Sequence, residues 1–242
     1  MANPLFNEKA YQQSVPQRGI RVGEQMTLQG TINKTFFLLL LCVVGGIVAF
    51  NHYSSAATWA WPISIAAFIV AMIIIFKKTT APLLAPVYAL GEGVVLGVIS
   101  AAYNAQYQGI VAQAVLITLL VLGVMLFIYR TGIIKVNRTF IIGVTAATGA
   151  IALFYLISLV LMLFGVHIAY FTSNSGLAIA INTIICIIAA MNLLIDFKFI
   201  DQLTSEVLAP RYMEWYAAFS LMVTLVWLYL EILRLLGRGR SR

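Results

Sequence analysis

From Ile110 to Tyr129 the chain runs without a charged residue, and stretches of the same kind recur along almost its whole length. A segment of roughly 20 mostly apolar residues is long enough to cross a hydrocarbon core about 30 Å thick. Backbone N–H and C=O groups meet no water there, so such a segment must be helical or belong to a closed barrel. The runs lack the two-residue alternation of a barrel strand, which leaves helices. Composition agrees, since 62% of the 242 residues are hydrophobic and 10% charged, whereas a soluble domain carries about 25% charged residues.

Spans are predicted at 35–50, 57–76, 81–103, 109–129, 140–164, 177–199 and 215–236. The expected fold is therefore all-α: a polytopic membrane bundle of seven transmembrane helices in one membrane domain, residues 35–236. A polar arm, 1–34, is expected before it and a basic tail, 237–242, after it. The arm has no apolar core that a peptidase could remove with a signal peptide.

Most of the 15 lysines and arginines fall in the arm and in the second, fourth and sixth loops. That side is expected to be cytoplasmic. Seven spans then put Arg234, Arg238, Arg240 and Arg242 on the far side, against the rule. A re-entrant third span, which holds Pro82, Pro86, Gly91, Gly93 and Gly97, would bring the tail back. Proline is tolerated in the first turns of a helix, so seven full spans is the expectation kept. Tyr53, Trp59, Trp61, Tyr129 and Trp215 stand at span ends and read as headgroup-level anchors. Gly93-x-x-x-Gly97 and Gly45-Gly46 read as points of close helix approach.

Several function classes are disfavoured. Cys42 and Cys186 fall inside apolar runs, where a thiol behaves as a small hydrophobe. His52 and His167 lie far apart with no Cys or carboxylate at metal-site spacing. No pattern pairs a nucleophile with a base or cradles a phosphate, so an enzyme is not expected. The net charge of +7 reads as topology signal and contact with anionic lipid, not as a nucleic-acid footprint.

Intramembrane ionisable residues are costly and usually face a bundle interior or a water-filled cavity. Three occur: Glu92, Asp196 and Glu231. Glu92 follows Tyr88 by four residues. An isolated carboxyl there is expected to be protonated unless water or a cation reaches it; a neutral hydrogen-bonding role is the alternative. Asn182, Ile185, Ala189, Asn192 and Asp196 recur at spacings of three and four, a small-and-polar stripe on one face of the sixth span. Ser220, Thr224, Trp227, Glu231 and Arg234 form a second stripe on the last span. The two faces are expected to meet, whether as an ion path or as interhelical glue. Glu231 also has Arg234 one turn on as a structural partner.

Asn192-Leu-Leu-Ile-Asp196-Phe-Lys-Phe-Ile200-Asp201 resembles the Bax inhibitor-1 family of membrane proteins, whose sixth helix ends in a similar Asp-x-x-x-Ile pattern. Trp227-Leu-Tyr-Leu-Glu-Ile-Leu-Arg234 is similar to that family's closing helix. Met26 to Thr35, Pro86 to Gly93 and Met213 to Phe219 look like a bacterial branch of it. The resemblance implies a seven-helix bundle around a central last helix. It also implies a pH-sensitive calcium leak closed by two aspartates that share a proton, on the sixth and seventh spans. Asp196 matches the first, and the second aligns with Thr224, which cannot titrate. The arginine that latches this pair in the family has no counterpart between Thr58 and Phe76.

Two readings follow. One is a pH-sensitive cation pathway for calcium or protons, with Asp196, Glu214, Glu92, Glu231, Thr224 and Asn192 as candidate residues. In that reading calcium is the transported ion, and no resident cofactor is expected. The other is a non-conducting regulator that binds another membrane protein, such as a protease. The expected location is a bacterial cytoplasmic membrane, with the N-terminus cytoplasmic and the lipid bilayer as the first partner. Asp196 and Glu214 are expected at similar depths, the nearest substitute for the missing pair, with Arg211 as a competing partner for Glu214. Glu231, about 25 Å farther along the last helix, is out of reach of Asp196.

Overall fold

A computed structural model describes residues 25–165 and 175–240. Among the described residues seven helices are long and apolar enough to cross a membrane. They are α1 (Leu28–Asn51), α2 (Tyr53–Phe76), α3 (Ala81–Gln106), α4 (Ile110–Thr131), α5 (Arg138–Leu163), α6 (Gly176–Ser205) and α7 (Met213–Arg240). A single 3-10 turn, Lys78–Thr80, leads into α3. Large apolar side chains stand fully open on these helices, Phe36 at 69% and Leu163 at 76% exposure. A water-soluble surface does not carry so much. The chain is an integral membrane protein with seven spans.

The ends are set locally. Thr27, in extended backbone, caps α1 by accepting from the Gly30 N–H, and Asn137 caps α5 by accepting from the Phe140 N–H. Both follow the preference for short polar side chains at a helix start. Gly109 and Gly132 bound α4 with φ of 77° and 68°, a region glycine enters without Cβ strain. Only His52 separates α1 from α2, so the expected first outer loop shrinks to one residue. Trp59 and Trp61 remain exposed on the early turns of α2.

The third span is not broken. α3 is one helix of 26 residues with Pro86 inside it, and the re-entrant alternative is set aside. Helix ends extend past the sequence expectation at several places. α1 starts at Leu28, not after residue 34, because Thr27 caps it there. α7 continues through Arg238 to Arg240, into the stretch read as a tail. The first part of the polar arm, residues 1–24, and His167 and Arg242 lie outside the described residues.

The chain divides into two compact units, residues 1–105 with 196–223, and residues 106–195 with 224–242. In the first, α1 and α3 meet backbone to backbone. A Cβ on Gly45 would stand 2.7 Å from the Leu90 carbonyl oxygen, and one on Gly93 2.9 Å from the Cys42 carbonyl carbon. Gly97 is placed likewise against Gly46. The four glycines named from sequence thus form one close helix contact, as small residues allow in lipid. In the second unit Ala178 and Ile185 of α6 pack with Ile151, Phe154 and Tyr155 of α5 and Trp227 of α7. α7, expected at the centre, is the most buried span, 56% against 6% for α5.

Candidate functional site

The polar stripes of α6 and α7 do meet, in antiparallel register. In the first unit Ser220 Oγ donates to Asp196 Oδ1 at 2.9 Å, and one turn away Phe199 packs edge-on against Tyr216. In the second unit Asn182 Nδ2 donates to Glu231 Oε2 at 2.9 Å. Arg238 donates to the Ala178 carbonyl at 2.7 Å, and Ile185 packs with Trp227.

Asp196 is 4% exposed. Ser220, one turn before Thr224 on α7, donates to it. Thr224 itself is half-buried. A hydroxyl thus stands where the family resemblance implies a second carboxylate. It can donate to the aspartate without adding charge, and it cannot share a proton as a like acid does.

Glu214 was expected to approach Asp196 or Arg211. Instead, Thr27 donates to it through its backbone N–H at 2.9 Å and its hydroxyl at 3.0 Å, and Lys34 pairs with its other oxygen. The carboxylate is 2% exposed and fits only because residue 30 is glycine: a Cβ there would stand 2.5 Å from Glu214 Cδ. The main chain reinforces the join, with Met26 N–H bonded to the Ala209 carbonyl at 2.7 Å. A cavity of about 530 Å³ opens beside it, lined by Gln25, Asn33, Lys34, Arg211 and Glu214 among others. This node fastens the start of α1 to the start of α7. The partners the structure gives Glu214 are thus Thr27 and Lys34 of the α1 start, a hydroxyl, an N–H and a cation.

Glu231, at 1% exposure, accepts from Tyr155 at 2.6 Å, from Arg234 at 2.9 Å and from Asn182. The Arg234 pairing at a three-residue spacing was legible in sequence. Arg234 also donates to the Tyr155 hydroxyl at 3.0 Å. With this many donors on one carboxylate, the desolvation of both charges is offset inside the protein. Asn192 donates to Thr148 Oγ1 at 2.7 Å, so it holds α6 to α5. Glu92 is half-buried on α3, one helical turn after the buried Tyr88. Tyr88 in turn packs edge-on against Phe219.

The terminal arginines are engaged. Besides Arg238, Arg240 donates to the Gln108 carbonyl at 3.0 Å and to Gln113 Oε1 at 2.9 Å. These contacts hold the basic end against the rest of its unit. Among the described residues no group of three or more His, Cys, Asp and Glu could hold a metal ion.

Sequence reasoning missed Thr27, Lys34, Tyr155, Tyr216 and Ser220 as Asp196's partner. Thr27 was within reach, since a threonine ahead of a span is an N-cap signal. The others are brought in by contacts between distant helices.

The family model described as Bax inhibitor 1 like matches residues 3–241, nearly the whole chain. Neither curated proteins nor solved structures give a match.

Proposed function

The chain belongs to the Bax inhibitor 1 like family, and from that membership and the buried polar pair on α6 and α7 we propose that it is a pH-sensitive cation leak with Asp196 as its titrating group. The observation that carries the reading is the Asp196–Ser220 contact: a carboxylate at 4% exposure met by a neutral hydroxyl. Glu214 and Glu231 each have a basic partner, Lys34 and Arg234, which suits them to holding helices together. Asp196 and Glu92, inside the membrane spans, are the carboxylates read as titrating, with calcium as the cargo because it prefers oxygen ligands. The family pair reduced to one acid implies a simpler, one-proton response.

The second reading, a non-conducting regulator that binds a membrane protein such as a protease, is favoured by the same two ion pairs, in which Glu214 and Glu231 serve to hold helices together. Flux of calcium into dye-loaded liposomes across pH decides between them. Conduction supports the leak; none at any pH, with folded protein in the membrane, supports the regulator.

A further inference from the structure

Tyr216 lies on α7 one turn before Ser220, the residue bonded to Asp196. Its ring packs at 6.3 Å between centroids on Phe199, which lies one turn after Asp196 on α6. Two residues of each helix thus face two of the other. Tyr216 is 1% exposed, and its hydroxyl has no hydrogen-bond partner among the described residues. A buried phenol hydroxyl left unmatched is rare in native proteins and points to a group that matches it. The charged groups that face it are Asp196 from α6, whose carboxylate acts on the hydroxyl electrostatically, and Lys78 from the turn before α3. Lys78 Nζ stands 5.3 Å from the ring centroid, over the face, and an ammonium cannot accept a hydrogen bond. Of these two charged groups only Asp196 can accept from Tyr216. A buried water needs two to four polar partners, and this corner offers the phenol as donor and the carboxylate and the Ser220 oxygen as acceptors.

We propose that Tyr216 is a positioning residue for Asp196: its hydroxyl donates through one ordered water to the carboxylate, whose Oδ1 already accepts from Ser220. Phenol and serine then hold one acid from two sides, in the place where the family resemblance implies a second acid. The functional consequence rests on the reading of Asp196 as the titrating group of a leak, but the contact does not.

The test has two arms on the full chain. In the first, melting of the purified protein in detergent is compared for wild type, Tyr216→Phe, Asp196→Ala and the double variant, with Asp196→Leu in place of Asp196→Ala if that variant does not fold. Tyr216→Phe is expected to lower the melting temperature by about 2–4 °C, and by clearly less when Asp196 is already replaced. A hydroxyl that truly lacked a partner would give a rise, and a purely packing role an equal fall in both backgrounds; either overturns the contact. In the second arm, Tyr216→Phe is expected to displace the pH profile of calcium leak by about one pH unit. An unmoved profile in a conducting protein overturns the positioning role. A wild type that does not conduct defeats the proposed function instead and leaves the melting comparison to decide the contact.

Discussion

Ser220 on α7 gives its hydroxyl to Asp196 on α6 at 2.9 Å, although the two are joined by a loop and two helix ends. The bond fixes one polar position of α7 against one of α6. Together with Phe199 against Tyr216, one turn away, it sets the antiparallel register of the helix pair at this end. The acid and its neutral partner are therefore a property of the register, not of composition.

The join of α1 to α7 depends on Lys34 balancing Glu214. Lys34→Met leaves a carboxylate at 2% exposure without its cation, and the loss of one partner of a buried pair costs about 3–5 kcal/mol. The expected result is a clear drop in melting temperature in detergent. Gly30→Ala should lower it too, by driving a Cβ into the carboxyl. Wild-type melting in both variants would mean that Glu214 is not anchored there.

Much of this architecture is legible in the residues and some is not. Span number and order follow from the length of the apolar runs, and the α6 and α7 stripes follow from their spacing of three and four. The Arg234–Glu231 pair follows from one helical turn. By contrast, Glu214 meets Thr27 across 187 positions, and no local pattern marks such a pairing. Arg238 and Arg240 read as solvent-side tail because their acceptors, Ala178 on α6 and Gln108 in the turn before α4, are far away in sequence.

At Glu231 the phenol of Tyr155 is one of several donors. Tyr155→Phe keeps the ring against Ile185 and Ala178 but removes a hydrogen bond to a charged group, a loss of about 1.5–3 kcal/mol. Asn182→Leu should cost at least as much, since that side chain is fully buried and bonded to the same carboxylate. Thermal unfolding of the two single variants and the double variant should show non-additive losses. Additive losses would mean the two donors act on Glu231 independently.

Glycines on α3 and α5 should respond oppositely to alanine. Gly93→Ala puts a methyl group against the Cys42 backbone, and forcing α1 from α3 should cost about 1–3 kcal/mol. Gly143 has nothing within 4 Å of its would-be Cβ, so Gly143→Ala is expected to be neutral or to stabilise by roughly 0.5–1 kcal/mol. Melting of the two variants side by side checks the contrast, and equal effects would contradict the close α1–α3 approach.

Sidedness is open to direct labelling. The loop from Gly132 to Asn137, flanked by Arg130 and Arg138, is proposed to be cytoplasmic. In a background lacking Cys42 and Cys186, a cysteine at Asn137 should resist a membrane-impermeant thiol reagent on intact cells, and one at Gly239 should react. Ready labelling at Asn137 would invert the orientation.

The central claim is that a single buried carboxylate, Asp196, sets the response of the leak to pH. The direct measurement is calcium entry into dye-loaded liposomes holding wild type, Asp196→Asn or Glu231→Gln, followed over a range of pH. The account predicts a pH-dependent leak in wild type, a response flattened in Asp196→Asn, and a Glu231→Gln protein that keeps the wild-type profile in whatever fraction folds. A wild-type pH response surviving in Asp196→Asn would contradict it.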